Sequence, residues 1–288
     1  MKQLIGLQFF LCTVLFGTGA GFLSIPATAE AMARGDHPLA SSFSALNPAG
    51  NRKVAGQPLL NMSYGSWLAD AEQMTITYAT DRFDGTVVVK GRYVGLSDLE
   101  LRTETPTDDP LGYFESFGAN VEIQYTRRLH NLQLGLGMKA TRLQLYTAGA
   151  KGYALDVGVL YTVNKTVDVG VTILNMGGFE SWGLRNPSFP LRVIGGIGAS
   201  LESLPMQPSF MLSAENSSLT DGIILRVGDE LIWKQLVVRS SMGWSKEVFV
   251  RSAGIGIRLG MYSINYGFQV GSQHLGIPHL IDVSVLLP

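Results

Sequence analysis

Cysteine is almost absent from this chain. Its 288 residues hold a single one, Cys12, inside an N-terminal segment that we expect to be removed. The mature protein then has no thiol. This excludes disulfides, thiolate metal sites and a cysteine nucleophile.

Strong net charge, long apolar runs and low-complexity stretches are lacking as well. The formal net charge is −1, and no basic stripe is present that could follow a phosphate backbone. Nucleic acid is therefore excluded as a partner. Beyond the N-terminus, no stretch approaches the about 20 apolar residues of a membrane-spanning helix. The absence of a linker favours one large domain.

Motifs for catalysis or metal binding are missing too. The histidines lie far apart, and none has the i, i+4 partner of a zinc protease motif; they are His37, His130, His274 and His279. No Gly-x-Ser-x-Gly elbow occurs. We therefore expect a protein that has no enzymatic activity and uses no cofactor or metal.

Strict alternation of apolar and polar residues is what the chain has in abundance. Apolar side chains occupy every second position in 117–126, and the pattern recurs in 153–162 and 262–270. A tilted strand crosses a bilayer in about 9–11 residues, with alternate side chains facing lipid and lumen. Glycine is frequent, at 34 residues, and small side chains relieve crowding inside a narrow barrel. The pattern predicts an all-β fold, a transmembrane antiparallel β-barrel.

Fourteen segments within 57–288 fit this strand template. They are 57–66, 71–79, 84–92, 115–127, 131–143, 151–162, 166–175, 189–201, 207–215, 222–230, 234–244, 249–259, 261–270 and 279–287. If the first strand starts in the periplasm, even-numbered connections should be short periplasmic turns and odd-numbered ones outer loops. The two longest connections, 93–114 and 176–188, are both odd-numbered.

The N-terminus resembles a secretory signal peptide. Lys2 precedes an apolar run at 4–16, which small residues follow. We predict that residues 1–20 are removed, with Gly17 and Ala29 as alternative cleavage sites. A membrane anchor is the other interpretation, but the run is shorter than a bilayer requires. Export of a barrel predicts the outer membrane of a Gram-negative bacterium, in contact with its lipids.

Residues 21–56 break the alternation. Helix-forming residues at 27–33 end near Gly35. A turn motif follows, formed by Asn47, Pro48, Ala49 and Gly50. The segment is too short to be a domain, so we expect a cap or plug packed into one mouth of the barrel.

Eight charged residues fall on lumen-facing positions of the predicted strands. They are Glu122, Lys139, Asp156, Asp168, Arg192, Arg226, Arg239 and Arg258. Facing lipid, each would cost about 2–4 kcal/mol near the middle of the bilayer, so their positions agree with a barrel. Because buried charges need partners, a mutually paired network is favoured over the lining of a polar conduit.

A long connection carries two aromatic residues that we expect to project outside the barrel. Phe179 and Trp182 lie in the loop at 176–188. We therefore predict that this loop is the part of the chain that contacts a partner or an apolar substrate.

Several motifs resemble the PorV/PorQ family of outer-membrane proteins. They are Phe22-Leu23-Ser24-Ile25-Pro26, the alanine-rich stretch 27–35, Asn47-Pro48-Ala49-Gly50, 169–177, Phe189-Pro190-Leu191-Arg192, 253–257 and 279–285. The short turn at 66–70 and the hairpin at 83–86 look more like PorQ. The chain departs from the pattern at its end, where Leu286-Leu287-Pro288 replaces the usual terminal aromatic residue.

The resemblance implies a fourteen-stranded barrel similar to the FadL fatty-acid channels. It also implies a non-enzymatic accessory role in type IX protein secretion or surface attachment, with secretion components or cargo as partners. The alternative is passive transport of hydrophobic small molecules across the outer membrane, with the N-terminal segment as a plug. A purely structural role in the envelope is the third interpretation.

Overall fold

The computed structural model describes residues 20–39, 42, 45–102, 108–180, 187–246, 248–272 and 276–288. Fourteen antiparallel strands close into a barrel, in which each strand pairs with its sequence neighbours and the first pairs with the last. The strands are β1 (Leu59–Ser66), β2 (Glu72–Arg82), β3 (Gly85–Leu101), β4 (Gly112–Leu129), β5 (Leu132–Leu145), β6 (Ala148–Thr162), β7 (Val167–Phe179), β8 (Arg192–Ser200), β9 (Ser209–Ser217), β10 (Ile223–Trp233), β11 (Leu236–Trp244), β12 (Phe249–Leu259), β13 (Tyr262–Gly271) and β14 (His279–Leu286). The predicted fold is confirmed.

Alternation along each strand separates two surfaces. On β4, Val121 and Ile123 point outward and are 57% and 54% exposed, whereas Glu122 and Gln124 point inward and are buried. The same division holds around the barrel, so large apolar side chains form an outer belt and polar or small ones line the inside. This is the surface of a barrel that crosses a bilayer, in agreement with the predicted outer-membrane location.

Strand β3 runs farther than its sequence pattern indicates. The predicted segment ends at Arg92, but pairing with β4 continues to Leu101 after a register shift between Leu96 and Leu99. The extra residue of the bulge shifts the alternation by one position, so the side chains beyond it change faces. A search for strict alternation therefore ends the strand too early.

The connections mostly follow the predicted sorting. The second, fourth and tenth are two residues each, at 83–84, 130–131 and 234–235. The eighth, from Leu201 to Pro208, is longer than a short turn. It folds back on itself, because the Leu201 amide donates to the Pro208 carbonyl at 2.9 Å and the Leu204 amide to the Leu201 carbonyl at 3.0 Å.

The segment that precedes β1 lies inside the barrel. A short 3-10 helix (Ala20–Ser24) leads to helix α1 (Ala29–Arg34), and a second 3-10 helix covers Pro48–Gly50. Thr28 caps α1 by accepting the Ala31 amide, and Gly35 ends it in a left-handed conformation with φ of 81°. None of the described helices is long and apolar enough to cross a membrane.

The topology makes a testable prediction about the two barrel ends. An epitope tag inserted at Asp109, in an outer loop, should bind antibody on intact cells. A tag at His130, in the short turn between β4 and β5, should bind only after the outer membrane is permeabilised. Flow cytometry with and without permeabilisation measures both. Labelling at His130 alone on intact cells would reverse the orientation.

Candidate functional site

Helix α1 is fixed to the far wall of the lumen by buried charges. The Arg34 guanidinium pairs with Glu230 on β10 and lies 3.2 Å from the Glu30 carboxylate. Arg239 on β11 donates its Nε to the same Glu230 oxygen at 2.7 Å. The two arginines thus share two carboxylates, one on the helix and one on the barrel wall. Such sharing offsets the cost of burying each charge.

The start of α1 has a second anchor on β14. The backbone amides of Ala29 and Glu30 donate to the two carboxylate oxygens of Asp282, at 2.8 and 3.0 Å. The first amides of a helix have no partner within the helix. Asp282 supplies one, so both ends of this short helix are bound to the barrel.

A second charge cluster lies on β8, β9 and β10. Glu215 accepts two bonds from Arg192, at 2.7 and 3.0 Å, and a third from Arg226 at 2.5 Å. Asp36, just after α1, places an oxygen 3.8 Å from Arg192. The N-terminal segment therefore contributes the second carboxylate that balances these two guanidinium groups.

His37 follows and is fully buried. Its Nδ1 lies 2.9 Å from the Ser213 hydroxyl on β9. Burial, together with the neighbouring Arg226 guanidinium, lowers the pKa of His37. The imidazole is consequently neutral at physiological pH and adds no charge to the cluster.

The third cluster joins β3, β4, β5 and β6. Lys139 lies 2.7 Å from the Asp156 carboxylate and donates to Asn175 at 2.8 Å, while Lys90 lies 3.7 Å from Glu122. All four charged side chains are buried. Between them and the N-terminal segment remains a polar cavity of about 50 Å³. This space is large enough to hold a few water molecules.

Six of the predicted lumen charges meet in these clusters, and their function stays a prediction. They are Glu122, Lys139, Asp156, Arg192, Arg226 and Arg239. Asp168 accepts a bond from Thr162 at 2.7 Å near the periplasmic end. Arg258 is half-buried on an inward position of β12 and belongs to none of the three.

Sequence reasoning missed the partners of these residues. They are Glu30, Arg34, Asp36, Lys90, Glu215, Glu230 and Asp282. Four of them lie in strands, and the alternation of those strands alone predicts that they face inward. The residues of the N-terminal segment carry no periodic signal, so no pattern could have paired them.

The predicted turn motif packs against the periplasmic half of β4, β5 and β6. Asn47 is fully buried and accepts the Ala49 amide at 2.9 Å, and the Pro48 carbonyl accepts the Thr126 hydroxyl. A side chain at Gly158 would overlap the Asn47 amide oxygen, and one at Gly135 would overlap the Ala49 backbone. These inner-face glycines are therefore needed for the close approach of the segment.

The aromatic loop residues differ from the expectation. Phe179 is the last residue of β7 and faces the lumen, where it stacks on Phe189 with ring centroids 4.3 Å apart. It also packs on Ala154 and Ala20. The strand continues past its predicted end at Asn175, which turns this aromatic side chain inward instead of outside. Trp182 lies outside the described residues.

One larger cavity opens at the outer mouth, between the N-terminal segment and the β10 to β13 wall. It measures about 270 Å³, and its floor is formed by Ser24, Pro26, Gly35 and Asp36. Apolar side chains form much of its wall; they are Trp67, Ile224, Val248 and Val250. The cavity thus lies at the outer end of the lumen, above the N-terminal segment.

Comparison with solved structures finds barrels of the same architecture. The Pseudomonas putida toluene transporter TodX matches with a TM-score of 0.61 at 9% identity, over 90% of this chain and 96% of that one. The fold is shared. The CymD monoaromatic hydrocarbon channel matches with 0.60 at 10% identity, over 91% and 96%. Acinetobacter baumannii outer membrane protein Omp33 matches with 0.50 at 8% identity, over 82% and 100%. No family model and no curated protein matches the chain.

The charge cluster around α1 can be tested by removing its central carboxylate. Glu230→Ala removes the buried carboxylate that Arg34 and Arg239 share, and loss of one partner of a buried pair costs about 3–5 kcal/mol. The N-terminal segment should detach, and single-channel recordings in planar bilayers should show a several-fold larger or more frequent conductance than the wild-type protein.

The neighbouring residue supplies the matched control. Asp229→Asn alters an outward-facing carboxylate that accepts a bond from Ser240, and its conductance should equal that of the wild type. Glu230→Gln, which preserves side-chain shape, guards against misfolding of the alanine variant. A folded Glu230 variant with wild-type conductance would show that this cluster does not hold the segment in place.

Proposed function

We propose that this protein is a non-enzymatic channel for the passive entry of small hydrophobic molecules through the outer membrane. Such a molecule enters the cavity at the outer mouth and passes the lumen when part of the N-terminal segment moves. The observation that carries the proposal is the cavity itself, which has an apolar wall and the segment as its floor. A molecule bound in the cavity would therefore touch Ser24–Pro26 and Gly35–Asp36 directly, and its binding can move the segment that lies below the cavity.

The cavity size limits the substrate class. A 150 Å³ apolar cavity is large enough to bind benzene, and ligand pockets for drug-sized molecules start at about 300 Å³. At about 270 Å³ the outer-mouth cavity suits a molecule of one or two rings, or a short alkyl chain. TodX, a toluene transporter, and CymD, a monoaromatic hydrocarbon channel, have the same fold and support the same class.

The polar remainder of the lumen favours gating over an open pore. Three buried clusters contain paired charges of both signs, and the cavity between the third cluster and the N-terminal segment measures about 50 Å³. Balanced charges offer no selectivity for ions of either sign. Contact with these charged side chains does not stabilise a hydrophobic molecule. Such a molecule must therefore pass where the N-terminal segment makes apolar contacts with the wall, once those contacts have separated.

An accessory role in type IX secretion is the second candidate, implied by the PorV/PorQ resemblance. The observation that favours it is the N-terminal segment packed inside the barrel, since a barrel filled by its own segment can serve as a docking platform without conducting anything. Under this proposal the partners are secretion components or cargo. The comparisons with known proteins supply no support for it.

A substitution that fills the outer-mouth cavity tests the channel proposal. Gly243 lines the cavity on the inner face of β11, and a Cβ there would make only an ordinary contact, 3.5 Å from the Arg226 Cγ. Gly243→Leu should therefore fold normally and occupy the cavity. We expect uptake of radiolabelled toluene by purified protein in liposomes to fall at least fivefold.

The matched control is Gly195→Leu, at a lipid-facing strand glycine with equal free space. Its uptake should equal that of the wild type. Wild-type liposomes no more permeable than protein-free ones would reject the channel proposal. Recovery of secretion components with the tagged barrel from its native envelope would then favour the second candidate.

A further inference from the structure

The lipid-facing wall of β2 to β6 carries a groove that the proposed function does not use. Its volume is about 440 Å³. The floor consists of small outward-facing residues on three neighbouring strands, Gly91, Ala119 and Ala140. At Gly91 nothing lies within 4 Å of the position that a Cβ would take, so the space directly above this part of the floor is empty.

Two register rows build the groove. In one row Ile76, Gly91, Val121, Ala140 and Tyr153 are successive partners across five strands. In the adjacent row the partners are Met74, Tyr93, Ala119, Arg142 and Lys151. The large side chains of both rows stand beside the small ones, which gives apolar walls on either side of the floor.

A pair of cations closes the outer end of this groove. Arg142 and Lys151 are direct cross-strand partners, and both are exposed on the outward face. Arg142 donates to the Gln144 side chain at 3.2 Å. Glu180 lies next along the row, where its backbone amide donates to the Lys151 carbonyl at 2.8 Å. Among the described residues, no carboxylate forms an ion pair with either cation.

Depth in the bilayer explains what these cations need. A lipid-facing Arg or Lys costs about 2–4 kcal/mol at mid-bilayer and about 0–1 kcal/mol near the interface. Arg142 lies three residues before Leu145, where β5 ends at the outer side. Adjacent like charges repel each other, and an anion between them removes the repulsion. Phosphate suits this place, because arginine binds it through paired hydrogen bonds.

We propose that the groove binds a phosphorylated lipid of the outer leaflet, with one acyl chain along Gly91, Ala119 and Ala140 and a phosphate between Arg142 and Lys151. Charge complementarity at the rim and the apolar lining of the groove together select this occupant. A neutral lipid would fill the apolar groove but would leave the two cations without an anion. The site lies outside the lumen and does not depend on the transport proposal.

Native mass spectrometry of the full-length mature protein in a nonionic detergent measures this binding. The probes are a hexa-acylated glucosamine disaccharide that carries two phosphates, the same glycolipid without phosphates, and phosphatidylcholine. The wild-type protein should bind the phosphorylated glycolipid at least tenfold more tightly than the other two. Arg142→Gln with Lys151→Gln should weaken that binding about thirtyfold, equal to about 2 kcal/mol at 1.4 kcal/mol per factor of ten.

Two further substitutions separate a built site from a general lipid annulus. Arg251→Gln removes an outward-facing cation near the outer end of β12, which lies over the Phe249 ring at 4.9 Å, and should leave affinity unchanged. Gly91→Leu fills the floor while both rim cations remain, and should weaken binding at least tenfold; Gly195→Leu should not. Barrel folding is checked by circular dichroism and by heat-dependent gel mobility.

Several outcomes would overturn the inference. One is equal affinity of the wild type for the phosphorylated and phosphate-free glycolipids. Another is an Arg251 variant that weakens binding as much as the double variant does. A folded Gly91→Leu protein with wild-type affinity would show that no acyl chain lies in the groove.

Discussion

A bilayer offers no hydrogen-bond partners to the backbone, and this constraint determines the rest of the molecule. Every strand must pair on both edges, so the sheet has to close, and closure creates one lipid-facing and one inward-facing surface. The pairing of β1 with β14 completes the ring. Once the ring is closed, the inward surface needs something to fill it, because fourteen strands enclose more space than their own side chains occupy.

The chain fills that space with its own N-terminal segment and secures it with shared charges. Glu230 and Glu215 each hold two arginine side chains, and the segment supplies Arg34 to the first set and Asp36 to the second. Such pairs contribute little net stability compared with apolar packing of similar volume, but their removal is costly. They favour one position of the segment over others, and the channel proposal requires the segment to return to that position after each opening.

Local pattern was sufficient to predict the barrel, because strand phase is a property of adjacent residues. All fourteen strands were found by alternation, and the failures occurred at bulges and at strand ends, as at Leu96 and Phe179. The lumen could not be predicted in the same way. The bond between Ala29 and Asp282 joins residues 253 apart, and it depends on closure of the whole ring. The outer-mouth cavity is likewise formed by four strands, three connections and the N-terminal segment, so no single stretch of sequence predicts it.

The energies of the contacts indicate where a hydrophobic molecule could pass the segment. Breaking the Glu230 or Glu215 pairs costs more than a one-ring molecule of few atoms can readily supply. Leu39 presents a different contact, since it packs on Leu160 and Met211 and lies over glycines of β7 and β8; they are Gly170, Gly196 and Gly198. An apolar molecule can replace these contacts with its own at little net cost, because apolar burial has no directional requirement. Under the channel proposal, passage along the glycine-lined wall beside Leu39 would therefore need no charge to be uncovered, and the polar anchors of α1 would stay in place.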